Sequence, residues 1–211
     1  MAAESAATAR QFTVTHTRTG ATPMSPSPST TTKTSSPPAA TSSLRADRSP
    51  AIPPLRRTKN DLPAAARAQV SELLNQRLAD CIDLQTQCKH AHWNVKGPGF
   101  IALHKLFDEV NEAVEEYVDL VAERIVQLGG MADGTLRRVA ERTTLDPYPV
   151  GLVRDLEHVE ALASALAAFG RTARIGIDEM DELGDAVSMD ILTEVARGVD
   201  KWVWFVEAHQ R

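Results

Sequence analysis

The chain has 211 residues, a formal net charge of −5 and two cysteines, room for one sizeable domain and a tail. No apolar run reaches the ~18 residues of a membrane helix, and the start of the chain lacks a signal-peptide layout. Membrane partners and a secreted disulfide scaffold are therefore not expected, and the composition suits a reducing cytoplasm.

The charge is unevenly divided. Residues 1–60 carry eight basic side chains against Glu4 and Asp47, a net +6, which leaves −11 on residues 61–211. The same sixty residues are mostly Ala, Ser, Thr and Pro, with Phe12 their one aromatic. Such a composition buries no core, so residues 1–60 are expected to form a disordered N-terminal tail and residues 61–211 the domain. A basic arm on an acidic body suits a polyanion, with nucleic acid first, although a solubilising linker or a transit-like extension has the same composition. Translation from Met24 would keep six of the eight charges.

The texture then becomes helical. "NDLPAAARAQV" reads as a helix start, with Asn60 or Asp61 as cap and Pro63 in the first turn. Val70, Leu73, Leu74, Leu78 and Ile82 recur at intervals of three and four, one helix face that continues to about Val95. Cys81 and Cys88 lie on this helix roughly 10 Å apart, beyond disulfide reach, and read as small buried thiols. A second helix runs from about Phe100 to Leu128 and stops at Gly129-Gly130. A third spans about Val150 to Glu182. After Leu183-Gly184, with Asp185 as a ready cap, the fourth continues to about His209.

The first and last connections are short, so each joins antiparallel neighbours. The middle one, about residues 129–149, is long enough to span a bundle of roughly 40 Å, and "TLRRVAER" within it suggests a short helix. Two hairpins joined by one long crossover define an all-α, ferritin-like four-helix bundle, with the short helix in the crossover and the tail in front.

The candidate chemistry centres on "KHAHWNVKGPGF", where a helix carries histidines in its last turn and then breaks. On the second helix His104, Asp108, Asp119 and Glu123 fall within about 100° of arc. Leu103, Leu106, Phe107, Val110, Val114, Tyr117, Val121, Ile125 and Leu128 occupy the opposite side. The polar stripe therefore faces away from its own core. Asp108 and Asp119 are separated by roughly 16 Å of helix, too far for one ion. A two-fold axis near residues 113 and 114 would set His104 and Asp108 against a partner's Asp119 and Glu123. Ile101 and Val126 are equidistant from the same centre and would supply apolar contacts, as an isologous interface requires. His92 would complete the cluster. Histidine with carboxylate suits iron, manganese or zinc, while spacing alone also fits a solvated acidic face. The paired Glu-x-x-His motifs of an intra-bundle di-iron site are absent.

"AHWNVKGPGFIALHKLFDEV", followed by "DLVAERIVQLGG", resembles the signature of Dps, the DNA-binding proteins from starved cells, mini-ferritins of the ferritin superfamily. The resemblance extends through "YPVGLVRDLEHVEAL" and "DILTEVARGVDKWVWFVE", over about residues 62–209. It implies an iron (Fe2+/Fe3+) site between two-fold subunits, with His92, His104 and Asp108 from one chain and Asp119 and Glu123 from the other. Trp93 matches a tryptophan beside the iron that takes up oxidising equivalents, or packs at the dimer contact. The resemblance further implies a hollow homo-dodecamer acting as a ferroxidase. Fe(II) and hydrogen peroxide, the preferred oxidant, would be its substrates, and stored Fe(III) mineral its product, sparing DNA in a stress response.

Asp178, Glu179, Asp181, Glu182 and Asp185 resemble the acidic surroundings of the family's iron pores, or form a solvated helix end. The resemblance also implies a structural pairing of Arg124 with Asp200 across subunits. Non-specific DNA binding through the tail would make the protein nucleoid-associated. The alternative is primarily a nucleoid-compacting protein whose metal site is secondary or structural.

Overall fold

In the computed structural model residues 54–210 are described. The expected disorder and charge of the tail through residue 53 lie outside the described residues. Five helices follow in order: α1 Ala64–Asn94, α2 Phe100–Gln127, α3 Leu136–Arg142, α4 Asp155–Glu182 and α5 Ala186–Glu207. Among the described residues there is no strand, and no helix is long and apolar enough to cross a membrane. The short α3 falls within the crossover, as "TLRRVAER" suggests.

α1 and α2 form one antiparallel hairpin and α4 and α5 the other. Cys81 on α1 meets the Val114 carbonyl on α2, and thirteen residues later Asn94 ends α1 opposite the start of α2. Arg77 Nη1 donates to the Thr172 carbonyl at 2.8 Å, joining α1 to α4. Tyr117 on α2 packs against Gly198 on α5 so closely that a Cβ there would collide with its hydroxyl. All nine apolar positions of α2 are buried, among them Phe107 and Ile125 at 0 % exposure. Leu103 to Tyr117 share a core with Leu84, Leu162, Leu166 and Phe169, and Val121, Ile125 and Leu128 share a second with Val70, Leu74, Leu78, Met180 and Leu192. Cys81 and Cys88 are buried, free thiols, and burial raises both above the ordinary thiol range.

The crossover is held by a row of polar side chains along α1. Asn75 binds both Met131 and Asp133, Gln76 donates to the Arg142 carbonyl, Asp80 accepts from Thr144, and Gln87 donates to the Asp146 carbonyl. These contacts satisfy backbone groups that a buried connection would otherwise strand.

Two boundaries move. The α1 cap is Pro63, without a side-chain cap bond, rather than Asn60 or Asp61. Asn60 Oδ1 instead accepts from the Leu62 N–H at 3.0 Å, closing a turn ahead of the helix. α4 begins at Asp155 rather than near Val150. Gly151 takes φ +90°, a left-handed conformation, and Glu157 accepts from the Val153 and Arg154 N–H groups at 3.0 and 2.9 Å. These backbone bonds pull the Glu157 carboxyl down to about 2.

Asp185 caps α5 as expected, accepting from the Ser188 N–H. It also binds Arg124 at 2.7 Å, with side-chain exposures of 6 and 1 %. Within one chain Arg124 is paired with Asp185 and Asp200 with Arg174. Asp185 likewise leaves the acidic surface cluster, which retains exposed Asp178, Asp181 and Glu182 and half-buried Glu179. Asp185→Ala would leave the guanidinium buried without its partner, an expected loss of about 3–5 kcal/mol. The exposed Arg174–Asp200 pair should cost under about 1 kcal/mol when broken. Urea unfolding of Asp185→Ala and Arg174→Ala at one protein concentration measures the contrast, and equal losses would contradict it.

Candidate metal centre

The corner between α1 and α2 brings two distant histidines together. Val95 ends α1 in an extended conformation, and Gly97 turns the chain at φ +132°. A Cβ at Gly97 would collide with the Asp155 carboxylate, which accepts from the Gly99 N–H at 2.9 Å. The first turn of α4 thereby pins the corner, and α2 starts at Phe100.

Across it, His92 and His104 stack with centroids 3.7 Å apart and planes 22° apart. His92 Nδ1 lies 2.7 Å from the His104 carbonyl, and His104 Nδ1 lies 2.9 Å from the His92 carbonyl. A carbonyl only accepts, so each Nδ1 carries the donated hydrogen, which leaves Nε2 of each ring as the nitrogen for a metal. This is the arrangement by which backbone acceptors orient metal-binding imidazoles.

Asp108 stands one turn beyond His104, with its Oδ1 3.9 Å from His92 Nδ1. Lys89 Nζ reaches the same oxygen at 2.5 Å. That ammonium, with smaller contributions from His92 and His104, holds the Asp108 carboxyl below the usual carboxylate range. Lys89 was not among the sequence candidates, although its i, i+3 spacing to His92 places it on the same face. Phe100, whose ring lies 5.1 Å from His104, was also missed. Trp93 follows His92 with 69 % of its surface exposed.

Asp119 and Glu123 are exposed farther along α2 and do not join the histidines within one chain. Among the described residues no three His, Cys, Asp or Glu side chains of one chain stand together as a metal-binding group. The stripe from His104 to Glu123 is flanked by Ile101 and Val126, 59 and 52 % exposed. Both ends of this α2 face thus present apolar surface to solvent.

A sequence model described as a ferritin-like domain matches residues 71–211, which defines the class. A relative from Agrobacterium fabrum strain C58, named DNA protection during starvation protein, is 44% identical over 153 residues. The match covers 72% of this chain and 94% of the relative. Among solved structures, a tetragonal form of Mycobacterium smegmatis Dps is 36% identical with a TM-score of 0.70, covering 73% of this chain and 93% of that one. Dps from Microbacterium arborescens in the high iron form is 34% identical with a TM-score of 0.66, covering 73 and 98%. The chain belongs to the Dps family, the DNA protection during starvation proteins of the ferritin-like class.

The contact between Lys89 and Asp108 makes a specific expectation. A divalent cation at Asp108 Oδ1 competes with the ammonium, so Lys89→Gln should tighten anaerobic Co(II) binding by about tenfold, the scale of a charge-assisted hydrogen bond. Calorimetric titration of both proteins measures it, and weaker binding by the variant would assign Lys89 a supporting role instead.

Proposed function

We propose that the protein is a ferroxidase and iron store of the Dps type, built as a hollow homo-dodecamer with its oxidation sites between two-fold subunits. The observation that carries this reading is the incomplete half-site on α2. His92, His104 and Asp108 gather at one end of an exposed stripe, and Asp119 and Glu123 stand at the other. His104 and Glu123, Asp108 and Asp119, and Ile101 and Val126 are each equidistant from the midpoint between residues 113 and 114. An antiparallel copy of α2 across a two-fold axis completes both half-sites at once.

In this reading Fe(II) is a substrate. The Nε2 lone pairs of His92 and His104 and the three carboxylates bind it, and their negative charge favours the Fe(III) product. Hydrogen peroxide accepts two electrons, one from each of two Fe(II) ions, and leaves as water. Trp93, beside His92, is the proposed catcher of stray oxidising equivalents. The acidic end of α4 attracts the cation, and the resulting Fe(III) is stored inside the shell. Removing Fe(II) and peroxide together protects DNA, in keeping with the names of the relatives and with a neighbour solved in a high iron form.

A complementation experiment tests the site. His104→Ala and Asp119→Ala shells should each lose most rapid Fe(II) oxidation. Mixed shells should regain part of it, because some interfaces then combine two damaged half-sites and leave two intact ones. No recovery in shells with verified co-assembly would refute the two-fold arrangement.

Residues 1–60, at a net +6, are the proposed non-specific DNA-binding element and would place the protein at the cytoplasmic nucleoid. The −11 body repels duplex DNA, while twelve weak arms on one particle bind through avidity. Log affinity should fall linearly with log salt, by a slope of about −0.9 per neutralised phosphate. Deleting residues 1–60 should abolish the plasmid mobility shift and spare Fe(II) oxidation, since no proposed ligand lies there. A truncated shell with the same salt slope would exclude the arm. Intact DNA compaction by shells that do not oxidise Fe(II) would favour the alternative of a primarily compacting protein.

A further inference from the structure

His158 lies on α4 with 1 % of its surface exposed. Tyr148, in the crossover, sets its hydroxyl 2.8 Å from His158 Nδ1. A phenol that keeps its proton donates its O–H to Nδ1 when the ring hydrogen sits on Nε2. Nε2 itself is buried without a hydrogen-bond partner among the described residues. Burial, reinforced by His90, holds His158 below the usual histidine range, so the Nδ1 lone pair is present at neutral pH.

The phenol is the complementary half. Burial raises Tyr148 above the ordinary tyrosine range, and Cys88 adds to the effect. It keeps its proton at neutral pH, and it gives up an electron readily only if that proton leaves in the same event. His158 offers an acceptor at hydrogen-bonding distance. The chain's other tyrosine, Tyr117, packs against Gly198, and no histidine stands at its hydroxyl among the groups that act on it in the described residues.

Position connects the pair to the proposed iron site. The His90 ring stands 5.0 Å from Tyr148, two residues from His92 and about 200° around α1 from it. The width of the helix, roughly 10 Å, separates Tyr148 from the proposed ligands, a span for electron tunnelling rather than contact. Tyr148 also lines a cleft of about 940 Å³ together with Lys96, Pro98 and Arg154, so small reductants from solution can reach it.

We propose that Tyr148, with His158 as its proton acceptor, is a one-electron donor that completes peroxide reduction when only one Fe(II) occupies the site. This rests on the Fe(II)–peroxide reading above. Conversion of hydrogen peroxide to two waters takes two electrons and two protons. One Fe(II) supplies one electron and becomes Fe(III), and Tyr148 supplies the other. The phenol O–H bond breaks, its proton passes to His158 Nδ1, and two solvent protons complete the waters. The products are Fe(III), a tyrosyl radical, a protonated His158 and two waters. A lone Fe(II) reacting without this donor would release a hydroxyl radical.

The test uses full-length protein loaded anaerobically with one Fe(II) per site, mixed with one equivalent of peroxide and freeze-quenched for electron paramagnetic resonance. Fe(II) consumption is read in the same samples. The expected radical narrows when the protein is labelled with ring-deuterated tyrosine. It disappears in Tyr148→Phe, which keeps the ring packing, persists in Tyr117→Phe, and falls in yield in His158→Gln. Fe(II) consumed with a radical that survives Tyr148→Phe, or ignores tyrosine deuteration, overturns the proposal while leaving the ferroxidase reading intact. Fe(II) left unoxidised by peroxide in the unsubstituted protein overturns both.

Discussion

The reciprocal locking of His92 and His104 onto each other's backbone carbonyls is the constraint from which the proposed chemistry follows. Each ring is fixed in orientation and tautomer by the helix that carries the other. The lock closes only if α1 and α2 meet at a tight corner, which requires the left-handed turn at Gly97 and the Asp155 carboxylate on the Gly99 N–H. Asp155 in turn depends on where α4 begins. A site on one hairpin is thus positioned by the first turn of the other.

The same dependence explains why the crossover is built as it is. It returns the chain to the corner end of the bundle, so its path decides where Asp155 arrives. Asn75, Gln76, Asp80 and Gln87 hold that path along α1 with side chain to backbone bonds. At the far end, the buried Arg124–Asp185 pair ties α2 to the start of α5. A buried pair of this kind contributes less net stability than its geometry suggests, because both charges were desolvated. Its other consequence is registry between the hairpins, since Arg124 on α2 also donates to Ser188 on α5.

Much of this was legible in the sequence because helical periodicity is local. The nine core-facing positions of α2 follow from a 100° wheel, and every one is buried. The stripe opposite them followed from the same wheel, as did the long crossover from its length. Long-range polar partners were not legible. Arg124 and Asp185 lie 61 residues apart, and nothing in their neighbourhoods distinguishes that pairing from one with Asp200. Asp80 and Gln87 on α1 are buried by the irregular crossover, which helical periodicity does not reveal. Val150 and Val153 looked like helix, yet Gly151 and the Glu157 cap delay α4 to Asp155. Lys89 lies within reach of the spacing argument, three residues before His92, although a cation beside metal ligands runs against the expected charge.

The central claim is that one chain holds half of two sites. Anomalous diffraction from crystals of the assembled protein soaked anaerobically with Co(II) tests it most directly. The account predicts a peak between two α2 helices, bounded by His92, His104 and Asp108 of one protomer and by Asp119 and Glu123 of its two-fold mate. A peak enclosed by the side chains of a single protomer, or held by one end of the stripe with the other end pointing elsewhere, would contradict it.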